Sequence, residues 1–149
     1  MLVEAQLTIN GTKAETWAAV ADIEHAAQIV SGIEKIEIIE KPPTGLVGLR
    51  WRETRILFGE PATVEKWVTE AAENEFYRTR AEDKGFVFLT TIRLEEGSGG
   101  TRVSSSHDSL PQTLAARLQA IPMALFFKGA IRKAIMQDLA DIKAAVERP

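Results

Sequence analysis

The chain has 149 residues, of which 45% are hydrophobic and 26% are charged, and its formal net charge is −3. This length and composition are typical of a single globular domain, residues 1–149, that can bury a sizeable core. The slight negative charge and the lack of a lysine or arginine run argue against a nucleic-acid partner, and the lack of cysteine excludes disulfides, thiol nucleophiles and thiolate metal sites.

The first predicted elements are a strand and two short helices. Apolar and polar side chains alternate at the start of the chain, which is typical of a half-buried strand. Thr12 followed by Glu15 is a capping-box pattern that begins a helix, and Asp22 is expected to end this helix and to cap the next one. The predicted ranges are 2–10 for the strand, 12–21 for the first helix and 24–30 for the second.

Six further strands are predicted in the middle of the chain, separated by turn signals. The predicted strands cover residues 34–40, 49–58, 62–71, 75–81, 86–94 and 101–108. The clearest turns are Pro42-Pro43-Thr44-Gly45, Gly59-Glu60-Pro61, Asp83-Lys84-Gly85 and Gly97-Ser98-Gly99-Gly100. Because strands joined by short turns pair antiparallel, the pattern predicts a seven-stranded antiparallel sheet.

The last third of the chain predicts one long amphipathic helix that ends near Arg148. Its apolar stripe consists of Ile131, Ile135, Leu139, Ile142 and Val146. Pro122 is expected to kink or interrupt the segment before this helix. A long helix packed on an antiparallel sheet defines an α+β fold, and this architecture can enclose a cavity.

In their order and spacing, these elements resemble the START-like (SRPBCC) superfamily, of the polyketide cyclase/dehydrase and lipid transport type. The matching segments are Val3 to Asp22, Val47 to Glu53, Gly100 to Val103 and Asp138 to Lys143. The resemblance implies a helix-grip fold, in which a curved seven-stranded sheet wraps around the C-terminal helix and two short helices follow the first strand. Members of the superfamily bind lipids, sterols, polyketides or other hydrophobic ligands. Because some are enzymes, some carriers and some protein-interaction modules, the fold leaves the function open.

Two charged residues of the third predicted strand are candidate site residues. If Trp51 faces inward, then Glu53 and Arg55 face inward as well, because side chains alternate along a strand. Buried charges are costly unless they are paired, so these two residues would have to pair with each other or contact a polar ligand group. The alternative is a twisted or bulged strand in which both side chains are solvated near an edge.

The last predicted strand offers a second candidate pair. An inward Val103 implies that Ser105 and His107 also face inward. His107 could donate to a ligand carbonyl or act as a general acid or base, or it could be a structural histidine that bonds to backbone or water. Spacing alone does not make the serine and histidine a catalytic dyad. His25 is expected on the surface.

Aromatic side chains are expected either to line an apolar pocket or to fill the core. The aromatic candidates are Trp51, Trp67, Phe86, Phe88, Phe126 and Phe127. A candidate mobile gate consists of Pro122, Met123, Leu125, Phe126 and Phe127, for which a homodimer contact or ordinary packing is the alternative. The full predicted set of ligand-binding residues is Trp51, Glu53, Arg55, Phe86, Phe88, Thr90, Ser105, His107, Met123 and Phe127.

The sequence favours binding or transport of a small hydrophobic or amphipathic molecule. One alternative is a polyketide cyclase/dehydratase-like enzyme, in which His107 or Glu53 is the base and Arg55 stabilises an enolate. A further alternative is a protein-interaction module whose cavity is filled by Trp51, Phe88 and Phe127. Because no phosphate-binding loop, dinucleotide fingerprint or metal-ligand spacing occurs, no cofactor and no metal are expected.

The cellular location is also an expectation. The N-terminal residues lack the basic and apolar regions of a signal peptide. The longest apolar candidate, Ile121 to Phe127, is much shorter than the ~20 residues of a membrane-spanning helix. We therefore expect a cytoplasmic protein without a membrane span, which agrees with the lack of cysteine.

Overall fold

The computed structural model describes residues 1–148. Strand β1 (Leu2–Ile9) leads into helix α1 (Lys13–Val20) and a short 3₁₀ helix (Ile23–Gln28). Six consecutive strands follow, namely β2 (Ile33–Glu40), β3 (Arg50–Leu57), β4 (Glu60–Ala72), β5 (Phe76–Asp83), β6 (Phe86–Gly97) and β7 (Gly100–Pro111). Helix α2 (Leu114–Pro122), a π-helical turn (Met123–Phe127) and helix α3 (Lys128–Glu147) complete the order.

The seven strands form one antiparallel sheet in the order β1-β7-β6-β5-β4-β3-β2. Strands that are consecutive from β2 to β7 pair with each other, and β1 closes the other edge by pairing with β7. The predicted α+β class, the seven antiparallel strands and the long C-terminal helix are thereby confirmed.

The predicted turn at Gly59-Glu60-Pro61 is wrong. The β3–β4 hairpin turns at Phe58 and Gly59, whose φ angles are 53° and 82°, and Glu60 and Pro61 already pair with Leu57 and Ile56. Two-residue turns with positive φ match the right-handed twist of the strands they join, which explains this tight connection. Pro61 misled the prediction because proline is also tolerated at the start of a strand.

The N-terminal helices differ in how they begin. Thr12 caps α1 as predicted, since its side chain accepts a hydrogen bond from the Glu15 backbone N–H at 3.1 Å. Asp22 precedes the 3₁₀ helix but does not cap it. Its carboxylate instead contacts Nδ1 of His25 at 2.9 Å and makes no capping hydrogen bond to the backbone N–H groups of the helix. His25 lies at the surface, as expected.

The segment before α3 is more helical than its proline suggested. Thr113 caps α2 through its side chain, and the α-helical pattern continues to Pro122. Proline has no N–H and clashes with the preceding turn, and the backbone passes through the π-helical turn Met123–Phe127 before α3 begins. The expected interruption therefore takes the form of a π-bulge within one helical run.

Helix α3 packs its predicted stripe against the sheet. Ile135, Leu139 and Ile142 are buried in a core cluster with residues of β1, β6 and β7. By length and composition, the helical run Leu114–Glu147 is apolar enough to cross a membrane. The α3 part of this run packs in the core, so we assign that part to the fold.

Candidate functional site

A cavity of about 630 Å³ lies between α3 and the inner face of the sheet. Side chains of both layers, the sheet and the helix, line this space. Strands β3 to β7 each contribute to its wall, and α3 with the π-helical turn covers it. Its apolar wall includes Ile56, Val64, Ala81, Phe88, Ile131 and Ile135. A space of this size, mostly apolar and with a few polar groups, is typical of a small-molecule site.

A smaller inner pocket of about 100 Å³ adjoins the cavity. Trp51, Tyr77 and Ser105 line this pocket but not the larger cavity. Seven side chains line both spaces and therefore lie at their junction: Glu53, Arg55, Lys66, Thr79, Thr90, His107 and Asp138. The cavity thus has apolar outer walls and a polar inner end.

Four of these side chains form an ion-pair network that we call the charge cluster: Glu53, Arg55, Lys66 and Asp138. Arg55 donates from Nε to Glu53 at 2.7 Å, and both of its terminal nitrogens donate to Asp138, at 3.2 and 2.8 Å. Lys66 donates to the same Glu53 oxygen at 3.1 Å. The other Glu53 oxygen accepts from the Trp51 indole N–H at 3.3 Å. Such full pairing is what makes a carboxylate tolerable at 5% exposure.

The charge cluster holds its carboxylate ionised. Burial alone would raise the pKa of Glu53, but the charges and hydrogen bonds of Lys66 and Arg55 lower it to about 2. Burial likewise opposes ionisation of Arg55, but Asp138 and Glu53 raise its pKa above the usual value. With two cations and two anions the cluster carries no net charge, and it therefore has no excess negative charge with which to hold a cation. Among residues 1–148, no group of three or more acidic or histidine side chains is arranged to hold a metal ion.

His107 lies beside this cluster and is neutral at pH 7. Burial, together with the positive charges of Lys66 and Arg55, lowers the pKa of His107 to about 4. A neutral imidazole offers one donor and one acceptor, and this ring faces both the cavity and the inner pocket. Burial also raises the pKa of Tyr77, so its phenol keeps its proton.

The outer rim of the cavity is aromatic. Phe58 at the β3–β4 turn and Phe127 at the end of the π-helical turn are in edge contact, with ring centroids 5.3 Å apart. Both line the cavity, and both are exposed, Phe58 at 75% and Phe127 at 41%. Met123 lines the cavity from the same turn. The hairpin and the helical run therefore meet at the rim.

The structure brings most of the predicted site residues together. Glu53 and Arg55 face inward and pair, so the solvated-edge alternative is wrong. The inward strand faces place Thr90 and His107 at the polar junction and Ser105 in the inner pocket. The hydrogen bonds of residues 1–148 include none between Ser105 and His107, which leaves no dyad. Whether any of these residues binds a ligand stays a prediction.

Three of the predicted aromatic lining residues lie elsewhere. Phe86 is buried and stacks behind Phe88, with ring centroids 5.7 Å apart, so only Phe88 reaches the cavity. Trp67 lies under the guanidinium of Arg50, 4.4 Å from its ring centroid, on the side of β4 opposite to Lys66. Phe126 is 75% exposed. Strand alternation accounts for Trp67 and the extra residue of the π-helical turn for Phe126. The position of Phe86 follows from its stacking on Phe88.

Sequence reasoning missed four polar residues of the inner end, namely Lys66, Tyr77, Thr79 and Asp138. Lys66 lies between Val64 and Val68, so the inward alternation of β4 already contained it. Asp138 follows Ile131 by seven residues and Ile135 by three, which places it on the inward stripe of α3. The signal for Asp138 was present, but an acidic residue next to an apolar stripe is usually assigned to its solvated edge.

The sequence model of the family "Polyketide cyclase / dehydrase and lipid transport" matches residues 2–147 of this chain. The chain belongs to this family. The resemblance noted from the sequence is thereby confirmed. No curated protein sequence matches the chain significantly.

Solved structures agree with the assignment to the polyketide cyclase/dehydrase and lipid transport family at the level of the fold. The protein TTHA0849 from Thermus thermophilus superposes with a TM-score of 0.79 at 15% identity, over 98% of this chain and 97% of that one. The Zhui aromatase/cyclase from Streptomyces sp. R1128 superposes with a TM-score of 0.77 at 18% identity, over 99% of this chain and 94% of that one. Ara h 8.0201 superposes with a TM-score of 0.74 at 17% identity, over 98% of this chain and 97% of that one. At these identities the superpositions establish the helix-grip fold, and the function must be argued from the site.

Proposed function

We propose that this protein binds a small hydrophobic or amphipathic molecule in the cavity and carries it. The observation that supports this most is the combination of about 630 Å³ of space, apolar walls and a polar inner end. A protein-interaction module with a collapsed cavity fits less well, because Phe88 and Phe127 border this space without filling it. Family membership is compatible with a carrier and with an enzyme.

Apolar contact alone would give modest affinity. Burial of about 200 Å² of apolar ligand surface contributes about 5 kcal/mol before the costs of association. Polar contacts at the inner end therefore decide how tightly and in which orientation a ligand binds. The groups available there are the Lys66 ammonium, which has three donors but one hydrogen bond among the described residues, the His107 ring and the hydroxyl of Thr90.

The polar end of the ligand should be uncharged. The charge cluster is already neutral, so a carboxylate brought into it would add a buried charge without a free countercharge. A hydroxyl or carbonyl can accept from Lys66 or His107 without that cost. We therefore expect a fatty alcohol to displace the bound fluorescent dye Nile red at least about tenfold more effectively than the fatty acid of the same chain length. Equal displacement at pH 7 would contradict an uncharged polar end.

Filling the cavity should abolish binding without unfolding the protein. Ala134 lies on α3, lines the cavity and is exposed, so Ala134→Trp adds bulk at the cavity and not in the packed core. We expect the Kd for Nile red, measured by fluorescence titration, to rise at least about tenfold. Ala140→Trp is the matched control, since Ala140 is exposed on the same helix and does not line the cavity. Equal affinity of the two variants would refute binding in the cavity.

A cyclase/dehydratase-like enzyme is the second candidate, and the observation that favours it is a neutral His107 at the polar junction. At pH 7 this imidazole is free to accept a proton, although a pKa of about 4 makes it a weak base. Glu53 is a poorer base, because its pKa is about 2 and its oxygens are already bonded. Arg55 is held between two carboxylates, so Lys66 is better placed to stabilise an enolate.

One pair of variants distinguishes an enzyme from a carrier. If the protein is an enzyme, His107→Ala should lose turnover of a poly-β-keto thioester while the Kd for Nile red changes little. Glu53→Gln should keep more activity, because its role here is to hold Lys66 and Arg55 in place. Absence of any turnover by the unmodified protein would count against this second candidate and leave the carrier proposal unaffected.

A further inference from the structure

The outer face of the helical run carries an exposed apolar stripe. We call residues Leu114–Phe127, which comprise α2 and the π-helical turn, the helical arm. Its apolar side chains Leu114, Leu118, Ile121, Leu125 and Phe126 are 61–75% exposed. The first four are spaced by four, three and four residues, so they share one face of the helix. Single exposed apolar residues are ordinary, but a contiguous exposed patch marks an interaction surface.

This stripe is continuous with the rim of the cavity. Phe127, the last residue of the helical arm, contacts Phe58 at the tip of the β3–β4 hairpin. The hairpin tip is itself exposed, with Leu57 at 46% and Phe58 at 75%. Phe58 adopts a φ of 53°, a conformation that is costly for a bulky residue. Two separate elements therefore present apolar side chains around the same opening.

The charged residues on the helical arm and in the first half of α3 are all positive. Residues 109–137 contain Arg117, Lys128, Arg132 and Lys133 and no acidic residue. The rest of the chain carries a formal charge of −7, since the whole carries −3. All four cations are exposed, and Arg132 also donates to the Glu4 carbonyl at 3.3 Å. This region is thus basic and apolar in an otherwise acidic protein.

We propose that the helical arm and the β3–β4 hairpin tip dock on the surface of an anionic lipid bilayer. An exposed apolar stripe flanked by lysine and arginine is the pattern of a helix that lies in the membrane interface. Anionic headgroups attract clustered basic residues, and the apolar side chains enter the boundary with the acyl chains. A second copy of the chain fits this surface less well, because a symmetric dimer would bring the same cations together. The cavity rim would then face the bilayer.

Co-sedimentation with vesicles tests this docking. The probe is phosphatidylcholine vesicles that contain about 30% phosphatidylglycerol, compared with pure phosphatidylcholine. We expect binding to the anionic vesicles that weakens at least about tenfold when the salt concentration is raised from about 0.1 M to about 1 M. Leu125→Glu should reduce the partition coefficient at least about tenfold, because it places a charge in the centre of the stripe.

Matched variants separate the surface from general effects. Val47→Glu makes the same type of change at an exposed apolar residue outside the helical arm and should leave vesicle binding unchanged. Lys128→Glu with Lys133→Glu should abolish the preference for anionic vesicles, whereas Lys41→Glu with Lys143→Glu should not. If Leu125→Glu and the unmodified protein unfold at the same urea midpoint, the variant is folded.

Two results would overturn the proposal. One is vesicle binding that Leu125→Glu leaves unchanged. The other is a dimer in sedimentation velocity that Leu125→Glu converts to a monomer, together with no vesicle binding, because the stripe would then be a contact between copies. Neither result bears on the Nile red experiments at Ala134, so docking and ligand binding can fail independently.

Discussion

Replacing Arg55 by methionine is expected to lower the free energy of unfolding by about 3 to 5 kcal/mol. Arg55 is 24% exposed and is the only described partner of Asp138, while it shares Glu53 with Lys66. Without it, two carboxylates at the inner end of the cavity lose their bidentate and charge-assisted hydrogen bonds. Breaking a buried pair costs more than the pair contributes, because the partner stays buried without its countercharge.

Urea unfolding of three variants would check this expectation. Arg52→Met is the matched control, because Arg52 lies on the opposite face of the same strand and pairs with Glu37 at the surface, where ion pairs contribute little. Adding Glu53→Gln and Asp138→Asn to Arg55→Met should restore part of the lost stability. If Arg55→Met cost no more than Arg52→Met, the charge cluster would not be the buried network described above.

The second large effect is a loss of stability in acid that depends on His107. In the unfolded chain this histidine takes up a proton near pH 6.5, whereas in the folded protein it does so only near pH 4. The unfolded state therefore binds more protons between these values, and stability falls as the pH is lowered through this range. At 1.36 kcal/mol for each pKa unit, the loss approaches about 3 kcal/mol.

The measurement is the free energy of unfolding at pH 7 and near pH 4.5, for the unmodified protein and for His107→Gln. In His107→Gln the free energy of unfolding should fall much less between pH 7 and pH 4.5 than in the unmodified protein. In His25→Gln, at an exposed position, it should fall as much as in the unmodified protein. Glu53 acts in the same direction but at lower pH, because its folded pKa of about 2 lies below its ordinary value of 4.5. An equal decrease in the unmodified protein and in His107→Gln would show that the imidazole is not buried beside these cations.

Arg55 and His107, whose replacement is predicted to change stability, also line the polar inner end of the cavity. A neutral charge cluster in which Glu53 anchors Lys66 holds the remaining Lys66 donors in place for an uncharged ligand group. A neutral His107 adds an acceptor to that set. If Arg55 or His107 proved to be exposed and mobile in solution, an uncharged polar end of the ligand would no longer be expected.

Much of the fold followed from local patterns. Alternation along β1, β3, β6 and β7 assigned the strands and their inward faces, because side chains on a strand must alternate whatever the strand packs against. The same rule placed Glu53, Arg55 and His107 inward before any partner was known. Spacing along the last helix identified Ile135, Leu139 and Ile142 as its buried stripe for the equivalent reason.

The sequence by itself therefore determined the seven strands, the two N-terminal helices, α3, their buried faces and the family. The tertiary structure decided which residues meet. Arg55 reaches Asp138 across 83 residues of chain, and Lys66 joins Glu53 through the register of β4 on β3, and neither contact leaves a trace in local periodicity. The same holds for Phe86, which shares a strand face with Phe88 but stacks behind it. A cavity is a place where packing is incomplete, and only the arrangement of a whole sheet around a helix determines where that happens.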